Sequence, residues 1–374
     1  MKEIKVTDVS IKSAGRPCTL VKVETDAGIT GFGEVLSSLM DLAVAVEDIK
    51  AYLIGKDALK IEHHWQGLYR GAFLRGGQVW VSALSGIEIA LWDILGKSLE
   101  VPVWQLLGGK VREKIRMYGH FGGNTLEECA ENAKKTLQQR DLTALKFTPF
   151  KETLPQDSPE VISEAAKKMQ AVREAVGLSV DIAIDCHGRL SPMMAIQMAE
   201  AMEKYRPFFF EEPCLPDNVD SMAQIARSTS IPIATGERLC TTFGFRELLE
   251  KQAAAILQPD PILSGGIFQL RKIAAMAETY YAAVAPHNPF GPVATAVCLQ
   301  LAACIPNFLI QEHTQSGLGE GVLREPFVVK DGYIAVPEKP GLGIEVDETA
   351  LQEGPIGPGR LSLGQHEDGS WADV

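Results

Sequence analysis

Three acidic residues stand at equal intervals in this chain: Asp185, Glu211 and Glu237, twenty-six residues apart each time. Each closes a short apolar run: Ser179-Val-Asp-Ile-Ala-Ile-Asp185, Pro207-Phe-Phe-Phe-Glu211 and Ile231-Pro-Ile-Ala-Thr-Gly-Glu237. An apolar run ending in a carboxylate reads as a buried parallel strand with its charge at the exit. Twenty-six residues is about the length of one strand-plus-helix module, so the repetition puts three carboxylates at one mouth of a barrel. Three oxygen ligands on neighbouring strands make a site for a hard metal ion.

The bulk properties set the frame for that site. A length of 374 residues suffices for one large barrel or two to three average domains. The chain is 46% hydrophobic and 22% charged, as globular proteins are. No apolar run of the sequence reads as membrane-spanning, and the start, Met1-Lys-Glu-Ile-Lys-Val, lacks the apolar core of a signal peptide. A cytoplasmic protein with no membrane partner is therefore expected. The net charge of −12 argues against a nucleic-acid partner, which needs a basic face. It leaves room for a small anionic substrate, because a bound metal reverses the local sign. Seven cysteines, scattered and without Cys-x-x-Cys or zinc-type spacing, read as reduced and mostly buried thiols. Cys186 and Cys214 adjoin the proposed site, but no base is placed beside them in sequence, so they read as packing residues.

Along the chain, residues 1–35 alternate as a small antiparallel sheet, with a hairpin turn at Asp26-Ala-Gly28. Helical periodicity follows over 38–54, 58–70 and 78–99. From about 116 the rhythm becomes strand, helix, strand. The candidate strands are Arg116–Phe121, Ala144–Phe147, Val180–Asp185, Pro207–Glu211, Pro232–Glu237, Ala255–Asp260, Ala282–His287 and Phe308–Glu312. Eight strands alternating with helices predict a closed parallel barrel. After 325 short strands and Pro/Gly turns return, which suggests a return to the first sheet. The expected organisation is a capping region over 1–114, a barrel over 115–326 and a C-terminal segment over 327–374 that completes the cap.

The strand exits carry Lys146, Asp185 with His187 two residues on, Glu211, Glu237, Asp260, His287 and Glu312. Catalytic groups of barrel enzymes come from this face. Three carboxylates with no histidine among the regularly spaced ligands suit Mg²⁺ rather than zinc or copper. A cation facing a substrate carboxylate stabilises the enediolate formed when the adjacent carbon loses a proton. His187 and His287 then supply an acid and a base, and Asp260, one module before His287, is placed to orient its ring.

These residues resemble the enolase superfamily, in its mandelate racemase subgroup. The resemblance is carried by Gly31-Phe-Gly-Glu34, by Ala83–Gly109 with Glu88, Trp92-Asp93 and Gly96-Lys97, and by Asp185-Cys-His-Gly188. It continues in Glu211-Glu-Pro213, Gly236-Glu-Arg238, Gln258-Pro-Asp260, Ala285-Pro-His287 and Pro340-Gly-Leu-Gly343. It implies an α/β fold, a modified (β/α)7β TIM barrel under an α+β capping domain built from both termini. It implies one Mg²⁺ per site on Asp185, Glu211 and Glu237, with Glu212 in support. Enolase-superfamily use of a Lys or His base with Mg²⁺ is itself a standard worked example of such chemistry. By resemblance, His287 paired with Asp260 takes the C2 proton of a sugar acid and His187 protonates the departing 3-hydroxyl. Glu312 hydrogen-bonds the substrate carboxylate. The product is a 2-keto-3-deoxy sugar acid, with D-galactonate as first-choice substrate and a homo-oligomer, often an octamer, as the assembly.

The pattern departs from its relatives at strand two, where Lys146-Phe-Thr148 replaces Lys-x-Lys. Thr148 is no base, which disfavours racemisation through bases on both faces of C2. Thr148 and His120 lie where side chains reach a substrate, and Arg16, before the hairpin, is a further specificity candidate. A racemase or epimerase of a 2-hydroxy acid, using the same enediolate, is the alternative reading. A non-catalytic metal-binding scaffold is the remote one.

Overall fold

The computed structural model describes residues 2–15, 17–36, 41–75, 77–353 and 363–373. Its first unit is an antiparallel sheet, β1 (Val6–Ser13), β2 (Thr19–Thr25) and β3 (Thr30–Glu34). The β2–β3 turn closes as expected, with the Gly28 N–H donating to the Thr25 carbonyl and Gly28 at φ +72°. Helices α1 (Leu42–Leu53), α2 (Ile61–Gly71) and α3 (Gly77–Ser98) pack behind it around Val9, Val21, Val46, Ile49, Leu84 and Ile87. The sheet and α3 touch backbone to backbone. A Cβ on Gly33 would lie 1.7 Å from the Gly86 carbonyl oxygen, and one on Gly31 would lie 2.1 Å from that of Ala90. The Gly-x-Gly of β3 is therefore a packing requirement.

Contrary to the sequence expectation, α3 is 22 residues long and apolar enough to cross a membrane by length and composition. Its apolarity comes from being covered on several sides, by β2, β3, α1 and α2 and by a barrel helix beyond.

The second unit is the barrel. Strands β4 (Lys114–His120), β5 (Ala144–Phe147), β6 (Asp181–Asp185), β7 (Phe210–Glu211), β8 (Ile233–Thr235), β9 (Ile256–Leu257), β10 (Ala283–Val284) and β11 (Gln311–His313) pair in parallel, with β11 beside β4. A parallel bridge from Val284 to Phe308 completes the ring. After the short α4 (Val103–Leu106), seven helices connect the strands: α5 (Leu126–Arg140), α6 (Pro159–Val176), α7 (Pro192–Met202), α8 (Val219–Arg227), α9 (Thr241–Glu250), α10 (Ile267–Thr279) and α11 (Pro292–Cys304). This is the (β/α)7β order.

Several strands are shorter than their apolar runs. Pro259 and Pro286 have no N–H to continue a ladder, and Gly236 turns away at φ +135°. Glu237, Asp260 and His287 thus stand two to three residues above the last paired residue. The C-terminal part returns in two steps. First β12 (Tyr333–Ala335) pairs antiparallel with the start of β4, and only then does β13 (Gln352–Glu353) join β1.

Two buried carboxylates tie the sheet unit to the barrel. Glu34 accepts from the N–H groups of Gly291 at 2.6 Å and Ala294 at 2.8 Å, at the start of α11. Glu88 accepts from Ile267 at 2.8 Å and Phe268 at 3.0 Å, at the start of α10. Helix N-termini expose unpaired N–H groups and a positive dipole end, so a carboxylate is the natural partner. Burial nevertheless pushes both carboxyls up to about 7.

Gly33→Ala should cost about 3 kcal/mol of stability, because backbone rather than a side chain must give way. Gly122→Ala, where an added Cβ meets nothing within 4 Å, should be close to neutral. Urea unfolding of the two variants checks the contrast.

Candidate active site

A closed ring turns every second residue of each strand inward. One layer of the lumen is apolar: Tyr118, Ala144, Ala183, Phe209, Ala234, Ile256, Ala285 and Ile310, one from each strand or its immediate flank. Tyr118 and Phe209 meet edge to face at 6.0 Å and plug the space between the alanines. Two residues further along, the inward positions become His120, Lys146, Asp185, Glu211, Gly236, Gln258, His287 and Glu312. The polar floor of the site is thus the layer directly above an apolar plug.

Lys146 is the hub of that floor. Its ammonium lies 2.5 Å from Glu211, 3.1 Å from Asp185 and 3.1 Å from Glu312, all with side chains at most 4% exposed. Burial alone would lower the Lys146 pKa, but Asp185, Glu211 and Glu312 hold it well above the ordinary lysine range. Burial, then Asp185, pushes the Glu211 carboxyl well up. Burial would raise Asp185 too, but Lys146 and His187 outweigh it and hold it low. Gln258 donates from Nε2 to the second Glu211 oxygen at 2.7 Å.

On one side, His287 Nδ1 is 2.7 Å from Asp260, leaving Nε2 toward the cavity, 3.6 Å from Glu237 and 3.9 Å from Glu312. Burial disfavours the charged ring, but Glu237, Glu312 and Asp260 raise its pKa to about 10. Four strands round the ring, and so on the opposite wall, His187 Nε2 is 3.2 Å from Asp185. Burial holds His187 below the ordinary histidine range, against Asp185 and Glu237.

Glu312 is met by three donors. It accepts from His120 Nε2 at 2.6 Å, from the Asn288 N–H at 2.6 Å and from Lys146. Burial would raise it, but Lys146, His287 and His120 keep it well below the usual carboxylate range. The donors on that wall are Lys146 and His120, whose ring is 39% exposed and faces the mouth. Thr148, half-buried, shares the Lys146 face of β5 two residues further out. Arg16 lies outside the described residues. Sequence reasoning gave no role to Gln258, Asn288 or Arg238. Counting two residues on from each lumen residue would have found Gln258.

Among the described residues no three His, Cys, Asp or Glu side chains converge as they do around an ion. The donor set still fits a hard divalent cation. Asp185, Glu211 and Glu237 leave three adjacent strand ends, all three offer oxygen, and the Lys146 ammonium reaches two of them, Asp185 and Glu211.

Residues 4–108 match the mandelate racemase / muconate lactonizing enzyme N-terminal domain, and residues 128–350 match the enolase C-terminal domain-like family. The chain belongs to the mandelate racemase/muconate lactonizing enzyme family of the enolase superfamily. A D-galactonate dehydratase of Variovorax paradoxus is 39% identical over 99% of this chain and 100% of its own length. One of Cronobacter sakazakii is 38% identical, also over 99% and 100%. A solved mandelate racemase/muconate lactonizing enzyme from a Sulfitobacter species superposes with a TM-score of 0.86 at 36% identity, covering 92% of this chain and 94% of that one. A solved enolase-superfamily member from Salmonella Typhimurium gives 0.87 at 33% identity, covering 93% and 97%. Membership of this family implies a divalent metal and a small-molecule substrate.

Lys146→Met leaves three buried carboxylates without their shared ammonium. In EDTA-treated protein it should cost about 3–5 kcal/mol. Carboxyls left in that state have folded pKa values above their unfolded ones, so stability should fall as pH rises above the ordinary carboxylate range. Denaturation at acidic and at mildly alkaline pH reads both effects.

Proposed function

We propose that this protein is a Mg²⁺-dependent sugar-acid dehydratase that converts an aldonate, D-galactonate first, to its 2-keto-3-deoxy acid. The observation that carries the reading is a pair of histidines on opposite walls, His187 and His287, flanking carboxylates on three adjacent strand ends. The near full-length similarity to D-galactonate dehydratases supports the same assignment.

Asp185, Glu211 and Glu237 would hold the cation, and Mg²⁺ suits an all-oxygen set. Bound there, it would offset the charge that builds on the substrate carboxylate as C2 loses its proton. Lys146 and His120 donate toward that carboxylate. His287 takes the C2 proton at Nε2, with Asp260 holding Nδ1 and so fixing the ring. A base must be neutral, so the role requires that the charge of Glu237, the largest carboxylate influence on His287, be offset. The electron pair left at C2 forms the C2=C3 bond as the C3–O bond breaks. The hydroxyl leaves as water with a proton from His187, and the enol tautomerises to the keto acid. His187 needs to be charged for that step, and an anionic substrate beside it favours the charged ring. Thr148 offers no second base, which favours elimination over racemisation. Seven free thiols agree with a reducing, cytoplasmic setting.

Across an aldonate library, keto-acid formation should stop in EDTA and return with Mg²⁺; activity that survives complete metal removal would falsify the mechanism. His287→Asn should lower both keto-acid formation and C2 hydrogen exchange in D₂O by about 10²–10⁴-fold. His187→Asn should abolish keto acid while recovered substrate still gains deuterium at C2. Exchange in the native enzyme with no keto acid from any aldonate would identify an epimerase instead.

A further inference from the structure

The residue expected to act as acid has an unusual backbone. His187 sits at φ +51°, in the left-handed region that non-glycine residues rarely occupy. Such conformations are strained and persist where the surroundings over-determine them. Here three strand exits do so. The His187 N–H donates to Asp185 Oδ1 at 3.0 Å, and the next N–H, of Gly188, donates to the Glu212 carbonyl at 2.8 Å. The His187 carbonyl accepts from Arg238 Nη2 at 2.9 Å.

Arg238 is itself fixed. Its Nε donates to Glu212 Oε2 at 2.6 Å, and the Thr235 hydroxyl donates to the other Glu212 oxygen at 2.9 Å. Glu212 is fully buried. One guanidinium therefore spans from the β8 exit, over the β7 exit, to the β6 exit. His287 is held separately by Asp260 and makes no contact with this strut.

We propose that Arg238, braced by Glu212, is a positioning residue for His187, and that it governs C–O cleavage without governing C2 deprotonation. The inference rests on the acid role assigned to His187 above. The planar guanidinium is what the geometry needs, because two of its donors reach two different acceptors at fixed angles. A lysine keeps the charge near Asp185 and Glu237 but has one nitrogen for both contacts. Without the carbonyl contact, the His187 peptide is free to leave the left-handed region and carry the imidazole away from the departing hydroxyl. Misplacement of a catalytic group by about 1 Å lowers rate on the order of 10²-fold.

The test measures three quantities in Arg238→Lys and Arg238→Met: keto-acid formation, deuterium uptake at C2 of recovered substrate in D₂O, and Mg²⁺ affinity by calorimetry without substrate. The expected result is a fall of about 10²-fold in dehydration, with C2 exchange retained and Mg²⁺ affinity unchanged in the lysine variant. A joint fall of dehydration and exchange, or loss of Mg²⁺ affinity in Arg238→Lys, would show that Arg238 serves the metal or the fold, and overturns the proposal. No change in either reaction also overturns it. If Arg238→Met does not fold, Arg238→Lys decides the matter. His187→Asn measured alongside separates the two levels. Should it fail to split exchange from dehydration, the acid assignment is wrong; should it split them while Arg238 variants do not, only the strut is wrong.

Discussion

Closure of the barrel is the constraint on which the site depends. A ring of eight strands has no free edge, so alternate residues of every strand must face a common lumen. At one level that lumen is filled by Tyr118 and Phe209 meeting across small side chains. The level above is then the first filled by polar side chains, and Lys146, Asp185, Glu211, Gln258, His287 and Glu312 all occupy it. The apolar plug also keeps water from reaching those groups from below, which strengthens every charge interaction among them.

Charge balance is the second organising fact. Carboxylates from β6, β7 and β11 surround one buried ammonium, and a fourth, Glu237 at the β8 exit, stands beside His287, so the site carries excess negative charge. Burial and then Asp185 drive Glu211 toward its protonated form, and, against burial, Glu237 and Glu312 drive His287 toward its own. A divalent cation answers both at once. Glu312 stands apart from this repulsion because Lys146, His120 and the Asn288 N–H are all directed at it.

Much of this was legible in the residues. The double interval from Asp185 to Glu237 marks three consecutive modules, and those carboxylates do leave adjacent strands. The His287–Asp260 contact followed from one-module spacing. Other features were hidden for physical reasons. The apolar runs outlast their ladders because proline and glycine end pairing before hydrophobicity ends. The apolar face of α3 looks continuous because two units cover it from different sides. The convergence of three donors on Glu312 was hidden because they come from β4, β5 and the segment after β10. Arg238 follows a strand-exit glutamate and reads as a loop arginine, since its acceptors belong to two other modules.

The joining of the two units bears on how the chain reaches this state. Glu34 and Glu88 are made early in synthesis, yet their partners, the first turns of α10 and α11, emerge some 180 to 260 residues later. Until then each carboxylate must either stay hydrated, with α3 and β3 not fully closed, or be buried unpaired. Contacts this far apart along a chain slow folding, because the intervening loop must be ordered first. The sheet unit is thus made before the barrel helices that its two carboxylates meet. The apolar α3 stays in need of part of its cover through most of that interval, which exposes it to misassociation in the nascent protein.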